Sequence, residues 1–148
     1  RTDCATLREE KDEHIPRGSP AYWNSYVYFA SQKDAVKAFQ LVNGKLTTKP
    51  VSQGPTIMGF PGATVSVSAN GNSDGIVWVI DNGDNGRSGF GTLRAYDATD
   101  VSKELYNSRT NSNDSTGSNF VRFTIPTIAN GKVYVVTQDR VSVYGMKE

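Results

Sequence analysis

The polar stretch from Asp81 to Arg87 contains the residues of this chain best suited to hold a metal ion. Calcium prefers several hard oxygen ligands, and Asp and Asn can supply them from a loop that glycines allow to turn. Asp81, Asp84 and Asn85 are therefore the candidate calcium ligands. The stretch departs from an EF-hand loop, because glycine stands at its third position and Thr92 where a bidentate glutamate is required. A long loop between two strands, rich in turn-forming residues, is the alternative interpretation and the favoured one.

The chain has one histidine and one cysteine. His14 ends a run of charged residues and is a poor general base, because a catalytic triad needs a third group to hold the imidazole against its nucleophile. A single cysteine excludes an internal disulfide framework, and Cys4 with His14 supplies too few ligands for zinc. We expect Cys4 either to form a disulfide with a missing part of the protein or another chain, or to remain a free thiol. The glycines from Gly86 to Gly91 do not open a predicted helix, so they predict no phosphate-binding loop.

Charge and hydropathy exclude two classes of partner. The 148 residues carry 16 Lys and Arg against 15 Asp and Glu, a net charge of +1, which gives no signal for nucleic acid. No apolar run reaches about 18 residues, so no membrane insertion is expected. β-Branched residues dominate, with 15 valines, 13 threonines and 6 isoleucines against 5 leucines. Because Val and Thr favour strands over helices, and turn-forming Gly, Asn and Ser are abundant, the composition predicts an all-β fold.

Three strand-like segments repeat along the chain, each with a valine followed by an aromatic residue. The pairs are Val27-Tyr28, Val77-Trp78 and Val133-Tyr134, within the segments 26–31, 76–81 and 132–137. A second strand follows each segment and ends in a small or β-branched residue and an aromatic, at Ala38-Phe39, Ala95-Tyr96 and Val143-Tyr144. Short strands repeated at this spacing are typical of a β-propeller, in which each repeat forms one blade.

Two further strands complete each expected blade. Strands before the valine segments are expected at 19–23, 64–69 and 124–128, and outer strands at 45–51 and 103–108. Five Asn-Gly pairs, with asparagine at positions 43, 70, 82, 85 and 130, favour the tight turns of β-hairpins. The sequence therefore predicts a partial β-propeller at 19–148, after a charged lead-in at 1–18. About three antiparallel blades of four strands each are expected, at about 19–54, 62–108 and 120–148. The last of these blades is incomplete.

Three motifs in these repeats resemble the blades of a known family. They are the stretch 62–71 (GATVSVSANG), the block 93–97 (LRAYD) and the block 128–135 (IANGKVYV). They look like the C-terminal blades of bacterial quinoprotein alcohol dehydrogenase-like proteins, which are pyrroloquinoline-quinone-like β-propellers. The resemblance covers about residues 19–146 and implies a secreted, periplasmic or cell-surface protein. Because such propellers have about six to eight blades, the chain is expected to be part of a larger propeller.

The resemblance does not extend to the catalytic equipment of that family. The adjacent cysteine pair that the family places over its quinone is absent from the sequence. We therefore expect a non-catalytic propeller segment that acts as a scaffold or binding surface, with calcium as its one candidate cofactor. The alternative is that these are the last blades of a dehydrogenase dependent on pyrroloquinoline quinone (PQQ), whose active site lies outside this chain. The expected partners are other propeller blades or another protein chain.

Overall fold

The computed structural model describes residues 17–83, 91–117 and 119–145. Within these residues the chain forms twelve β-strands and a single 3-10 turn at Ser112–Asp114, and no α-helix. The strands form three sheets, and every strand pair in them is antiparallel. The prediction of an all-β, antiparallel fold is confirmed. No helix in this part of the chain is long and apolar enough to cross a membrane.

The first sheet contains five strands. They are β1 (Ala21–Trp23), β2 (Tyr26–Ala30), β3 (Ala35–Val42), β4 (Lys45–Leu46) and β5 (Ser52–Ile57). Both β4 and β5 pair with β3, so the single outer strand expected at 45–51 is wrong. The chain bulges away between two backbone bonds to β3, from Thr47 N–H to the Gln40 carbonyl and from Val51 N–H to the Ala38 carbonyl. Pro50 lies within this bulge and has no N–H with which to continue a ladder.

The second sheet is a four-stranded meander. Its strands are β6 (Ser66–Asn70), β7 (Ser73–Asp81), β8 (Thr92–Asp97) and β9 (Asp100–Asn107). The outer strand β9 begins three residues earlier than the sequence indicates. The turn before it is tight, because the Asp97 carboxylate accepts hydrogen bonds from the Thr99 N–H at 2.8 Å and the Thr99 hydroxyl at 2.6 Å.

The third sheet has three strands, β10 (Thr127–Ala129), β11 (Lys132–Val136) and β12 (Val141–Tyr144). The three valine segments of the sequence repeat lie in β2, β7 and β11, and each of these is the second strand of its sheet. Two Asn-Gly pairs form the expected hairpin turns. Asn43 and Gly44 have φ of 50° and 77°, and Asn130 and Gly131 have φ of 50° and 69°. Asn70, by contrast, is the last residue of β6, and the pair at 85–86 lies outside the described residues.

The second sheet lies between the other two, and both of its faces are covered. Residues in a strand alternate between the two faces of a sheet, so Val77 and Val79 of β7 point to one side and Trp78 and Ile80 to the other. The first side packs in a core with the first sheet, and the second side packs in a separate core with the third sheet. Continuous apolar runs such as 76–80 are therefore buried on both faces.

Candidate functional site

The candidate calcium ligand Asp81 is engaged in a buried ion pair. It is the last residue of β7, where one carboxylate oxygen accepts a hydrogen bond from the Gly83 N–H at 2.9 Å. The other oxygen lies 3.2 Å from both Nε and a terminal nitrogen of Arg94. Asp84 and Asn85, the other two candidate ligands, lie outside the described residues. A calcium ion at Asp81 would have to compete with the Arg94 guanidinium for the same oxygens.

Arg94 joins two acidic side chains from different strands into what is here called the ion cluster, Asp81, Arg94 and Glu104. A terminal nitrogen of Arg94 lies 2.6 Å from a Glu104 carboxylate oxygen, and the Arg94 side chain is almost fully buried. Burial works against the charged guanidinium, but the hydrogen bond to Glu104 and the charge of Asp81 outweigh it and raise the pKa of Arg94. Neither Arg94 nor Glu104 was singled out from the sequence. Their contacts link the neighbouring strands β7, β8 and β9.

Other metal or catalytic groups are sparse. In the described ranges no three His, Cys, Asp or Glu side chains lie close enough together to hold a metal ion. Cys4 and His14 fall outside these ranges. The calcium site therefore stays a prediction.

One small cavity lies near the end of β7, at Ile80 and Asn82. Its walls include Arg17, Pro61, Thr64, Asn82 and Phe123, and its volume is about 10 Å³. A cavity of this size has room for a single water molecule at most. This cavity is far too small to hold a quinone cofactor.

The three sheets pack one after another in a stack. Each repeated position of the sequence faces a particular neighbouring sheet in it. Val77 packs toward the first sheet and Val133 toward the second, so the repeat valine faces the preceding sheet. The next residue must face the following sheet. Tyr28 does so, and its hydroxyl donates a hydrogen bond of 2.7 Å to the Ala98 carbonyl of the second sheet. Trp78 does so as well, against the third sheet.

The second repeated pair obeys the same rule with the order reversed. Ala95 is opposite Trp78 and therefore faces the following sheet, whereas Tyr96 is opposite Val77 and faces the preceding one. Tyr144 is likewise opposite Val133 and packs toward the second sheet. The signal that could have assigned these faces is in the sequence, since adjacent residues of a strand always point to opposite sides.

In the part of the chain that the structure describes, the third sheet has a face with no following sheet, which we call the trailing face. Strand pairing places on it Tyr134 and Val136 of β11 and Val141 and Val143 of β12, together with the polar residues Lys132 and Thr127. The three valines are exposed. Tyr134 and Val143 are repeat positions of the sequence, and strand register was needed to place them on this face.

Among the described residues, the first sheet has the opposite side without a neighbouring sheet, which we call the leading face. The pairing of β1, β2 and β3 places on it Tyr22, Val27, Phe29, Phe39 and Leu41, together with Lys37. The Tyr22 ring is exposed and Val27, Phe29 and Leu41 are half-buried. Phe39 is buried, with the ring of Phe29 edge-on to it at 5.8 Å. The described stack thus ends on each side in a sheet face that is mainly apolar and carries one lysine.

Comparison with known proteins gave no match: no family model, no curated protein and no solved structure matches this chain.

Proposed function

We propose that this chain is a segment of a β-propeller, with its three sheets as consecutive blades, and that it acts as a non-catalytic scaffold whose end faces bind further sheets. One observation carries the proposal. The same strand positions face the preceding and the following sheet throughout the stack, which leaves one face of each kind without a neighbour among the residues that the structure describes.

Contacts between the edge strands of successive sheets favour a β-propeller over a β-sandwich. The first strands β1, β6 and β10 contact one another in sequence, and the outer strands β5 and β9 make contact at the opposite edge. Successive sheets therefore stack with the same strand order from inner to outer edge, as blades do around an axis. A sandwich of two sheets has no middle sheet with both faces buried.

The polar groups of the described residues favour a scaffold over an enzyme. Asp81, Arg94 and Glu104 pair with one another, and the cavity at the end of β7 holds at most one water molecule. An open groove of about 560 Å³ at residues 42–51 is lined by no acidic or histidine side chain. The exposed apolar side chains of the leading and trailing faces, Tyr22, Val136, Val141 and Val143, are suited to bind further sheets. The proposal that the protein is secreted, periplasmic or on the cell surface rests only on the resemblance of its blade motifs to quinoprotein-like propellers.

Equivalent substitutions at two repeat valines test the proposed stack. Val77→Lys places a charge in the core between the first two sheets and should cost about 3 kcal/mol or more in the free energy of unfolding. Val27→Lys is the matched control, because Val27 holds the same position on the leading face, where a lysine can extend into solvent. Urea unfolding should therefore show a large loss for the first variant and a small one for the second. Equal losses would contradict the assignment of faces.

A redox assay tests the non-catalytic part. The intact source protein is incubated with PQQ, calcium, a primary alcohol and a dye acceptor, with a heat-unfolded sample as control. The scaffold proposal expects no dye reduction above that control. Reduction that requires the added quinone would instead support the dehydrogenase.

A further inference from the structure

We infer that the surface where the links between the sheets meet binds an acidic peptide segment that also carries apolar side chains. This surface, which we call the link surface, consists of Arg17, Phe60, Val121, Arg122 and Phe123. It lies on neither the leading nor the trailing face, because none of these residues belongs to a strand. The inference goes beyond the proposed function and does not depend on the sheets being blades.

Three segments outside the strands converge at the link surface. Arg17 precedes β1, Phe60 lies in the link between β5 and β6, and Arg122 lies in the link between β9 and β10. The guanidinium carbon of Arg17 lies 5.4 Å from the centre of the Phe60 ring, and so does that of Arg122. One aromatic ring therefore attracts two exposed arginine side chains and brings their charges together.

An arginine held over a ring can still bind a carboxylate. The ring contacts a face of the planar guanidinium, whereas the N–H groups point outward in its plane and form the fork that pairs with two carboxylate oxygens. No acidic residue lines the cavity beside Arg17. Asp81, which adjoins the wall residue Asn82, already accepts hydrogen bonds from Gly83 and Arg94. The two arginines thus suit a ligand that carries carboxylates.

Apolar side chains on the same surface decide the class of ligand. Val121 and Phe123 flank Arg122 and are both exposed, Phe123 by 57%. A small anion has nothing to pack against them, whereas an acidic peptide supplies carboxylates and apolar side chains together. Arginine and aromatic residues are also enriched where proteins bind proteins. A nucleic acid is the poorer fit, because Val121 offers no ring on which a base can stack.

The backbone of Phe123 is strained in a segment that is fixed at both ends. Buried Phe120 forms a bridge with Thr137, and the Pro126 carbonyl accepts a hydrogen bond of 2.7 Å from the Ser66 hydroxyl. Between these anchors Phe123 has a φ of 66°, a conformation that bulky residues rarely adopt. An exposed ring on a strained backbone is typical of a binding residue rather than of one that stabilises the fold.

Fluorescence anisotropy tests the class of partner. The probe is a labelled peptide of about ten residues in which glutamate and leucine alternate. It should bind saturably, and more weakly as the salt concentration rises. The controls are a lysine–leucine peptide, a glutamate–serine peptide and a single-stranded DNA of the same length. Each control should bind at least about tenfold more weakly than the probe.

Substitutions of single cations test the arginine pair. Arg17→Gln and Arg122→Gln should each weaken binding of the glutamate–leucine peptide about fivefold, because each removes a charged hydrogen-bond donor. Lys103→Gln is the matched control, since Lys103 is an exposed cation on the outer strand β9. It should leave the dissociation constant unchanged.

Phe123→Gly separates binding from folding. It should weaken peptide binding about tenfold, because it removes the exposed ring. Its temperature of thermal unfolding should stay the same or rise, because glycine adopts a positive φ without strain. Leu105→Ser, at an exposed leucine of β9, is the control and should retain full binding. A lower unfolding temperature for Phe123→Gly with unchanged binding would show that the ring serves the fold instead.

Three results would overturn the inference. They are the absence of saturable binding up to about 1 mM peptide, equally tight binding of any control ligand, and unchanged binding in Arg17→Gln, Arg122→Gln and Phe123→Gly. The first result would leave the link surface to the mainly acidic run 9–13 of the chain itself. None of them alters the contrast between Val77→Lys and Val27→Lys, so the proposed stack is tested separately.

Discussion

At the scale of single residues, Arg94 shows how far the sequence could assign a role. The stretch 81–87 predicts a cation site because its side chains are rich in oxygen. The partner that occupies the Asp81 carboxylate comes from 13 positions further along, on the neighbouring strand β8. Glu104 comes from a third strand. Sequence spacing alone does not reveal such a contact, because it depends on strand register across a loop of unknown length.

Replacement of Arg94 tests the ion cluster. Arg94→Met should lower the free energy of unfolding by about 3–5 kcal/mol, because it leaves the buried Asp81 carboxylate without its cation. Lys103→Met is the control, since Lys103 is an exposed partner of Asp100 at 3.8 Å, and it should change stability by less than about 1 kcal/mol. Urea unfolding near neutral pH measures both. Equal, small losses would show that the cluster contributes no stability.

The buried Tyr96 predicts a loss of stability in alkali. Burial raises the pKa of Tyr96 to about 12, against the opposing effects of the Thr56 side chain and the charge of Arg94. The unfolded chain releases this proton near pH ~10, so the stability contributed by neutral Tyr96 is complete below that pH. It should be lost as pH rises from about 10 to about 12, by up to about 1.4 kcal/mol per pH unit. Tyr96→Phe should make this decline shallower in urea unfolding at several pH values, and an unchanged slope would contradict the assignment.

At the scale of elements, the sequence predicted what local chemistry determines. The second strand of each sheet and the hairpin turns at Asn43-Gly44 and Asn130-Gly131 follow from β-branched runs and from asparagine and glycine at positive φ. The split between β4 and β5 was missed, because the outer strand has to pair with β3 on either side of the Pro50 bulge. The early start of β9 was missed because the Asp97–Thr99 turn is tighter than the spacing of apolar residues suggests.

A glycine substitution tests one of these turns. Gly131 has a φ of +69° and open space around it, so alanine there adds strain without a clash. Gly131→Ala should cost about 1–2 kcal/mol in the free energy of unfolding. Gly145→Ala is the control, because that glycine has no positive φ and its added methyl would make ordinary contact with Lys132. Thermal unfolding should separate the two variants by several degrees, and coincident curves would contradict the turn.

At the scale of the whole molecule, the alternation of valine and aromatic residues matters more than any polar site. Val77 and Trp78, one residue apart, connect the middle sheet to both neighbours. The sequence contained this information, but the direction of stacking required the strand register. The two cores account for the burial of the middle sheet. We propose that the leading and trailing faces bind further sheets.

A crystal structure of the assembled protein tests the central claim most directly. The account predicts β1, β6 and β10 nearest to a common axis, with one further sheet packed against Tyr22 and Val27 and another packed against Tyr134 and Val143. The buried apolar contact should reproduce the stacking between the second and third sheets. A structure in which the two end faces point into solvent, or in which two trailing faces pack against each other, would contradict the account.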